Sequence, residues 1–283
     1  MQKKKFKIDW GNAMDKIKNQ ENSSKNSFKD ERVYYPQFNE NGTAQAIIRF
    51  LPSPDTEIPF INVFSHSIKG PGGWYIENCP TTLKNECPVC KANSSIWDSD
   101  PDTARSRKRK YNYYSNILVV KDPKNPENEN KVFLFKYGFK IHQKIMEKLQ
   151  PEEGGVDEPI MIFDYYDGTN FKLSIKKVQV GSVKMPNYDS SEFQTPCEVG
   201  TDEEIEKISK SLYSLADFNK PENFKPYVEL ESKFNRVVGV SKPRPVTPKA
   251  ETSTVENTEV DASEESVFDG DENNFFDKLK NEE

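Results

Sequence analysis

Apolar and polar residues alternate along short segments in the middle of the chain, which is the pattern of half-buried β-strands. In AQAIIRFLPSP, the side chains of Ala46, Ile48 and Phe50 occupy alternate positions until a proline ends the segment. PFINVFSHS, YYSNILVVKD and KVFLFKYG predict three further strands, and the turn-rich PKNPENEN separates the last two. EPIMIFDYYDGTNFKLSIKKVQV predicts a hairpin with Asp167 and Gly168 near its tip.

Three segments instead repeat apolar residues at helical spacing. The first is GFKIHQKIMEKLQ. The second begins at Thr201 and Glu204, which have the spacing of a capping box, and the third runs from Tyr227 to Gly239. Several short strands with few helices predict a mainly β fold with α additions, and specifically an OB-fold, which is a small Greek-key barrel.

Composition divides the chain into three regions. Residues 1–43 are polar and begin with a basic cluster, formed by Lys3, Lys4, Lys5 and Lys7. Residues 44–240 carry the strand and helix patterns, and residues 241–283 are a linker rich in Pro, Ser and Thr followed by an acidic tail. The net charge of −6 is uneven, because residues 251–283 carry −10 and the rest of the chain carries +4. We therefore expect disordered tails on either side of a basic body that binds a polyanion.

Hydropathy and cysteine content indicate the compartment. Hydrophobic residues make up 34% of the chain, the mean hydropathy is −0.85, and no apolar run approaches the roughly 18 residues of a membrane span. The start, MQKKKFKIDW, lacks the apolar core of a secretory signal. We expect the protein to stay in a reducing compartment and not to bind or cross a membrane. In that compartment its four cysteines serve as metal ligands or free thiols.

Three of the four cysteines and one of the two histidines lie within residues 65–93. Their spacing is His66-x12-Cys79-x7-Cys87-x2-Cys90, and the Cys-Pro-Val-Cys knuckle lets two thiolates reach one ion. Three thiolates and one imidazole suit a tetrahedral zinc ion and fill its coordination shell, so we predict one structural Zn²⁺. A redox-active cysteine pair and chance burial of the thiols are the alternatives.

A run of cations in RSRKRKYNYY directly precedes three tyrosines. Phosphates need cations spaced along a groove, and unstacked bases need flat aromatic faces, on which stacking is worth about 1–3 kcal/mol per base. A solvated basic face and aromatic rings buried in a core are the alternatives. The candidate DNA contacts are Arg105, Arg107, Lys108, Arg109, Lys110, Tyr111, Tyr113, Tyr114, Trp74, Tyr75, Phe135, Tyr137 and Tyr188.

Motifs of catalysis are missing from the sequence. There is no Gly-rich phosphate-binding motif, no His-Glu-x-x-His and no Gly-x-Ser-x-Gly. We expect His142 to be satisfied at the surface of a helix and Cys197 to be an ordinary free thiol. No active site is predicted.

Four segments, QAIIRFLPS, GGWYIENC, CPVC and SNILVVKD, resemble the single-stranded DNA-binding (helix-destabilising) proteins of the T-even bacteriophages. The similarity extends over residues 44–240. It implies an OB-fold core with a zinc subdomain at about residues 62–110, in which the His66, Cys79, Cys87 and Cys90 cluster binds zinc. It also implies that residues 107–110 form an internal basic motif, that residues 3–5 belong to an arm used in cooperative binding, and that the acidic tail recruits replication and recombination proteins.

We therefore predict a non-enzymatic protein that binds single-stranded DNA cooperatively and without sequence preference in phage DNA replication, recombination and repair, in the cytoplasm of the infected bacterial host. The tail is expected to shield the groove at low salt. One alternative is an RNA-binding zinc protein that regulates translation, which competition between oligo-dT and oligo-U would identify. A zinc-ribbon scaffold that binds no nucleic acid is the second, and a metal-dependent nuclease, which needs clustered carboxylates, is a distant third.

Overall fold

The computed structural model describes residues 30–152, 155, 158–180 and 183–239. Its strands are β1 Thr43–Phe50, β2 Ile61–Gly70, β3 Gly73–Asn78, β4 Lys110–Lys121, β5 Val132–Tyr137, β6 Thr169–Val180, β7 Val183–Asn187 and β8 Glu192–Pro196. Its α-helices are α1 Pro88–Ile96, α2 Pro101–Ser106, α3 Phe139–Leu149, α4 Asp202–Lys210 and α5 Tyr227–Val238. No helix in these ranges is long and apolar enough to cross a membrane.

All eight strands belong to one curled antiparallel sheet. The order is β3-β2-β4-β1-β6-β7, with β5 paired to β4 and β8 paired to β6. The curl closes half a barrel, and the predicted mainly β fold with α additions is confirmed. The capping box at Thr201 and the left-handed Gly239 that ends α5 are also present as predicted.

The first core fills the half-barrel. Alternate residues of β1 face inwards, and Phe50 lies at the centre, with its ring 5.7 Å from that of Tyr137 and 5.8 Å from that of Phe171. Such tilted and edge-on contacts are the favoured geometries of aromatic pairs. Phe135 belongs to the same cluster and is completely buried.

A second core lies between the β2–β3 hairpin, α1 and α5. Ile68, Tyr75 and Val89 pack there against Leu230, Phe234 and Val237 of α5, together with two of the cysteines. The turn after β2 touches α5 so closely that a Cβ on Gly70 would lie 2.2 Å from the backbone oxygen of Val237. The predicted zinc subdomain, residues 62–110, is therefore completed by a helix from a distant part of the chain.

Strand β4 connects the two cores. Its first residues pair with β2, as in Phe64↔Tyr111, and its last residues pair with β1, as in Ile48↔Val119. The cores are consequently parts of one continuous sheet.

The packed body begins before residue 44, where the sequence placed its boundary. Val33 and Tyr34 are buried, and Val33 forms a parallel bridge with Leu134. The hydroxyl of Tyr34 donates to the buried carboxylate of Asp122 at 2.9 Å. Residues 33 and 34 therefore contribute to the core although the sequence assigned them to the N-terminal arm and connector, residues 1–43.

The predicted hairpin around Asp167 and Gly168 is wrong. Residues 158–168 form no strand. They include a turn at residues 162–163 and a bend at residues 165–167, where the carboxylate of Asp164 accepts bonds from the backbone N–H groups of Tyr166 and Asp167 at 2.7 and 2.9 Å. This loop covers Arg49, which is fully buried and donates to the backbone oxygen of Asp164 at 2.8 Å. The loop thereby supplies an acceptor to a buried guanidinium, which would be costly to bury without a partner.

His142 is only partly exposed, because its ring packs against aromatic side chains, which differs from the expectation of a satisfied surface residue. Its ring stacks on Tyr113 at 3.8 Å and lies edge-on to Phe60 at 4.9 Å. Burial lowers the pKa of His142 from its ordinary value to about 4, because the apolar surroundings disfavour the charged imidazolium.

The buried imidazole predicts acid sensitivity. The unfolded chain takes up the His142 proton near pH 6.5, whereas the folded protein resists it until about pH 4, so stability is lost as the pH falls through this window. Between pH 7 and pH 5 we expect this residue to reduce the free energy of unfolding by about 1 kcal/mol, because solvent reaches part of the ring and screens the effect. Urea denaturation of the wild type and of His142→Phe at both pH values measures the effect. An equal pH dependence in the two proteins would contradict it, since both retain His66.

Candidate metal centre and nucleic-acid interface

Four ligand side chains converge beside the second core. His66 lies on β2 and Cys79 directly follows β3. Cys87 is the N-cap of α1, which begins at Pro88, and Cys90 lies in its first turn. Their ligand atoms all lie within 4.8 Å of one another. His66 Nε2 is 3.5 Å from each of the sulfurs of Cys87 and Cys90, and the sulfurs of Cys79 and Cys90 are 3.6 Å apart. The predicted ligand set is therefore brought together and could hold a metal ion.

Contacts within this cluster shift the pKa values of His66 and Cys79 in opposite directions. Burial lowers the pKa of His66, but hydrogen bonds and charge interactions with the side chains of Cys79 and Cys87 outweigh it and raise the pKa to about 9. Hydrogen bonds from Cys87 and Cys90 lower the pKa of the Cys79 thiol. A metal ion would displace these protons, because it binds thiolates and a neutral imidazole.

Two hydrogen-bond paths leave the ligands towards the basic stretch, which we define as residues 105–110. The Nδ1 of His66, which faces away from the thiols, lies 3.1 Å from the backbone oxygen of Arg107. The Thr81 hydroxyl, in the 3-10 helix Pro80–Leu83, lies 3.1 Å from the Cys79 sulfur, and Arg109 Nη1 donates to it at 3.1 Å. Such outer contacts orient metal ligands in many proteins.

Cations of the basic stretch lie over aromatic rings. The guanidinium of Arg109 is 4.2 Å from the ring centre of Phe64 and 5.8 Å from that of Tyr111. Arg107 lies 5.6 Å from the ring of Phe234 on α5. These contacts hold the cations in place and leave aromatic surface beside them.

The other cations of the stretch are placed differently. Lys108 lies 5.0 Å from the ring of Trp97, in the segment after α1. Arg105 forms an exposed ion pair with Asp102 at 3.1 Å, a type of contact that contributes little to stability.

The sheet divides the remaining candidates between two faces. Phe64 and Tyr111 are paired across β2 and β4 on the face that carries His66 and the second core. Lys110 pairs with Ser65, and Trp74 pairs with Lys69, so these four side chains lie on the other face of the sheet. On that face the Lys69 ammonium is 5.4 Å from the centre of the Trp74 ring. The predicted contacts therefore do not form one surface.

Five predicted base-stacking rings are buried, which corrects the expectation that they face solvent: Tyr75, Tyr113, Phe135, Tyr137 and Tyr188. Tyr75 is covered by Phe234 of α5, whereas the other four belong to the first core. Tyr113 is stacked between the rings of Tyr137 and His142. The sequence did not show that α3 and α5 cover these faces of the strands.

Tyr114 is partly buried on the opposite side of β4. Its ring stacks on Phe218 at 4.2 Å with an interplanar angle of 22°. One face of this ring is therefore occupied by protein.

Sequence reasoning missed three residues around the basic stretch, namely Phe64, Thr81 and Trp97. Phe64 could have been found, because it alternates with His66 on a predicted strand. Thr81 and Trp97 gave no comparable signal, since Thr81 depends on how the segment between Cys79 and Cys87 folds and Trp97 on where the helix after Cys87 ends.

Several predicted features lie outside the described residues. They are the basic cluster of Lys3, Lys4, Lys5 and Lys7, the linker from residue 241, and the acidic tail. Cys197 is exposed, as expected of a free thiol.

Comparison with known proteins places the chain among phage proteins. The family described as gp32 DNA binding protein like matches residues 42–238. The chain is 35% identical over 223 residues to the single-stranded DNA-binding protein of Enterobacteria phage T2, covering 76% of this chain and 72% of that protein. It is 34% identical over 223 residues to the protein of the same name from Enterobacteria phage T4, covering 76% and 73%. This chain, with its four clustered metal-ligand side chains and its adjoining basic stretch, belongs to the gp32-like family of DNA-binding proteins.

Proposed function

We propose that this protein binds single-stranded DNA without sequence preference and coats it during phage DNA replication, recombination and repair. Membership of the gp32-like family, with relatives named single-stranded DNA-binding protein, is the observation that carries the proposal. The protein acts by binding and catalyses no reaction, in the cytoplasm of the infected bacterial host.

The basic stretch and the rings beside it form the proposed DNA contact. Arg109 presents a guanidinium next to the partly buried rings of Phe64 and Tyr111, so phosphate and base contacts are available side by side. Lys108 with Trp97 extends this surface. Lys110 of β4 and Trp74 of β3 lie on the other face of the sheet and would engage the strand only where it passes onto that face.

The metal is proposed to be one structural zinc ion. Zinc–sulfur bonds of about 2.3 Å in a tetrahedron place two sulfurs about 3.8 Å apart, and a zinc–nitrogen bond places nitrogen and sulfur about 3.6 Å apart. The observed separations of 3.6 Å between sulfurs and 3.5 Å between Nε2 and sulfur fit these values. Four protein ligands leave no position for a reacting water, so zinc would hold β2, β3 and α1 together.

Two further roles belong to segments outside the described residues. The N-terminal lysines 3, 4, 5 and 7 would contact the neighbouring protein copy and make binding cooperative along the strand. The acidic tail, with a net charge of −10 over residues 251–283, would bind replication and recombination proteins and compete with DNA for the groove.

A fluorescence titration with oligo-dT across a salt series, on protein of known zinc content, tests the proposal. We expect quenching of the tryptophan or tyrosine emission and an affinity that falls steeply with salt, because bound cations release counterions from the phosphates. Deletion of residues 251–283 should strengthen binding at low salt.

Two outcomes would contradict the proposal. Preference for oligo-U over oligo-dT in competition would favour RNA as the ligand. No binding at low salt, even by the tail-deleted protein with zinc bound, would favour a scaffold that does not bind nucleic acid.

A further inference from the structure

We propose that Thr81 is a positioning residue for the DNA contact, because its hydroxyl couples a metal ligand to Arg109. The Thr81 oxygen is 3.1 Å from the Cys79 sulfur and 3.1 Å from Arg109 Nη1. The inference rests on the proposed function, since it assigns Arg109 a phosphate to bind.

The direction of the two hydrogen bonds follows from the donor inventory. A guanidinium only donates, so the Thr81 oxygen accepts from Arg109. The single hydroxyl proton of Thr81 is then available for the Cys79 sulfur, which as a metal-bound thiolate only accepts. The path therefore runs in one direction, from Arg109 through Thr81 to Cys79.

This path fixes a side chain that would otherwise have many rotamers. Thr81 takes one of the five N–H donors of the guanidinium, and the ring of Phe64 lies 4.2 Å from its centre. Thr82, the next residue in the same 3-10 helix, accepts a bond from the backbone N–H of Phe64 at 2.9 Å. One short turn therefore holds both the cation and the ring beneath it.

A second contact fixes the backbone of the same stretch. His66 uses Nε2 towards the thiols, so in the metal-bound state its Nδ1–H donates to the backbone oxygen of Arg107. The metal ligands thus hold the basic stretch at the Arg107 backbone and at the Arg109 side chain. A bound phosphate would meet a preorganised cation, which reduces the entropic cost of binding.

The test uses the full-length, zinc-loaded protein with Thr81→Val, which keeps the shape and removes the hydroxyl. We expect its oligo-dT affinity at 0.1 M salt to fall about fivefold and the magnitude of the salt slope to fall by about 0.7, the contribution of one phosphate contact on a single strand. Arg109→Gln should show the same loss, and the double variant should show little more, because the two residues act through one path. Thr81→Ser should restore binding.

Thr56→Val is the matched control. It makes the same chemical change in the loop before β2, where the Thr56 hydroxyl donates to the backbone oxygen of Ile58 at 2.7 Å, and it leaves the Cys79–Thr81–Arg109 path and Phe64 intact. We expect an affinity within twofold of wild type. In cobalt-substituted protein, Thr81→Val should shift the sulfur-to-cobalt charge-transfer band, and Thr56→Val should not.

Wild-type affinity in Thr81→Val together with a fivefold loss in Arg109→Gln would overturn the positioning role and leave the proposed function standing. An unshifted cobalt band in Thr81→Val would overturn the assigned direction of the hydroxyl bond. If the wild type showed no salt-dependent binding of single strands, the proposed function would be wrong. The role of Thr81 would then be wrong as well, because it depends on that function.

Discussion

Replacing Cys87 with serine is expected to abolish stoichiometric metal binding and to lower the melting temperature by about 10 °C. Cys87 precedes α1, is buried, and belongs to the cluster that includes Leu230 and Phe234 of α5. Loss of the ligand would therefore loosen a core made from two distant parts of the chain. A cost of about 4 kcal/mol, at about 2–4 °C per kcal/mol for a body of this size, gives the expected shift.

Cys197→Ser is the control for this experiment. Cys197 is exposed and lies outside the cluster, so the variant should keep one metal ion per chain and the wild-type melting temperature. Metal analysis and thermal denaturation of both variants suffice. If Cys87→Ser retained one equivalent of metal and melted like wild type, the thiols would be ordinary buried apolar groups.

Neutralising the basic stretch is expected to weaken binding of single-stranded DNA by a factor of about 10² to 10³ at 0.1 M salt. The variant changes Arg107, Lys108, Arg109 and Lys110 to glutamine. Each phosphate contact on a single strand contributes about 0.7 to the salt slope, so four contacts contribute about 3. Titrations with oligo-dT at several salt concentrations measure the affinity and the slope together.

A pair of double variants separates a local effect from a change in net charge. Lys108→Gln with Lys110→Gln removes two cations of the stretch, and Lys207→Gln with Lys210→Gln removes two exposed cations of α4. Only the first pair should reduce affinity more than about twofold. Equal losses in both would mean that net charge, and not the basic stretch, determines binding. Melting temperatures check that Arg107 and Arg109 are not required for folding, since both pack on rings.

The metal ligands could be predicted because their signal is local and chemical. Few residue types bind zinc, and the knuckle of Cys87 and Cys90 has a spacing that is uncommon by chance. Strands β1, β2, β4, β5 and β6 and the helices α3, α4 and α5 were also predictable, because alternation, helical spacing and the capping box at Thr201 are patterns of neighbouring residues. Strands β3, β7 and β8 were not predicted. Helices α1 and α2 were not predicted, since both are short and begin at prolines within the ligand segment.

The aromatic residues show where sequence reasoning ends. Alternation on β4 indicates that Tyr111 and Tyr113 share a face, but it does not tell which part of that face α3 covers. Tyr113 stacks on His142 of α3, whereas Tyr111, two residues earlier, packs on Phe64 and remains partly exposed. The difference arises from packing between elements that are distant in sequence, for which a single chain carries no pattern.

The pairing of β1 has a consequence for how the chain folds during synthesis. Strand β1 lies between β4 and β6, so residues 43–50 cannot complete their pairing until residues 110–121 and 169–180 have been synthesised. The second core cannot form completely until residues 227–238 have been synthesised. At about 5–20 residues per second, roughly 10–40 seconds separate the synthesis of β1 from that of α5. During that interval the thiols of Cys79 and Cys87 lack the helix that later buries them. A nascent chain could therefore bind a metal ion early, but it completes its fold only when nearly all of the described region has left the ribosome.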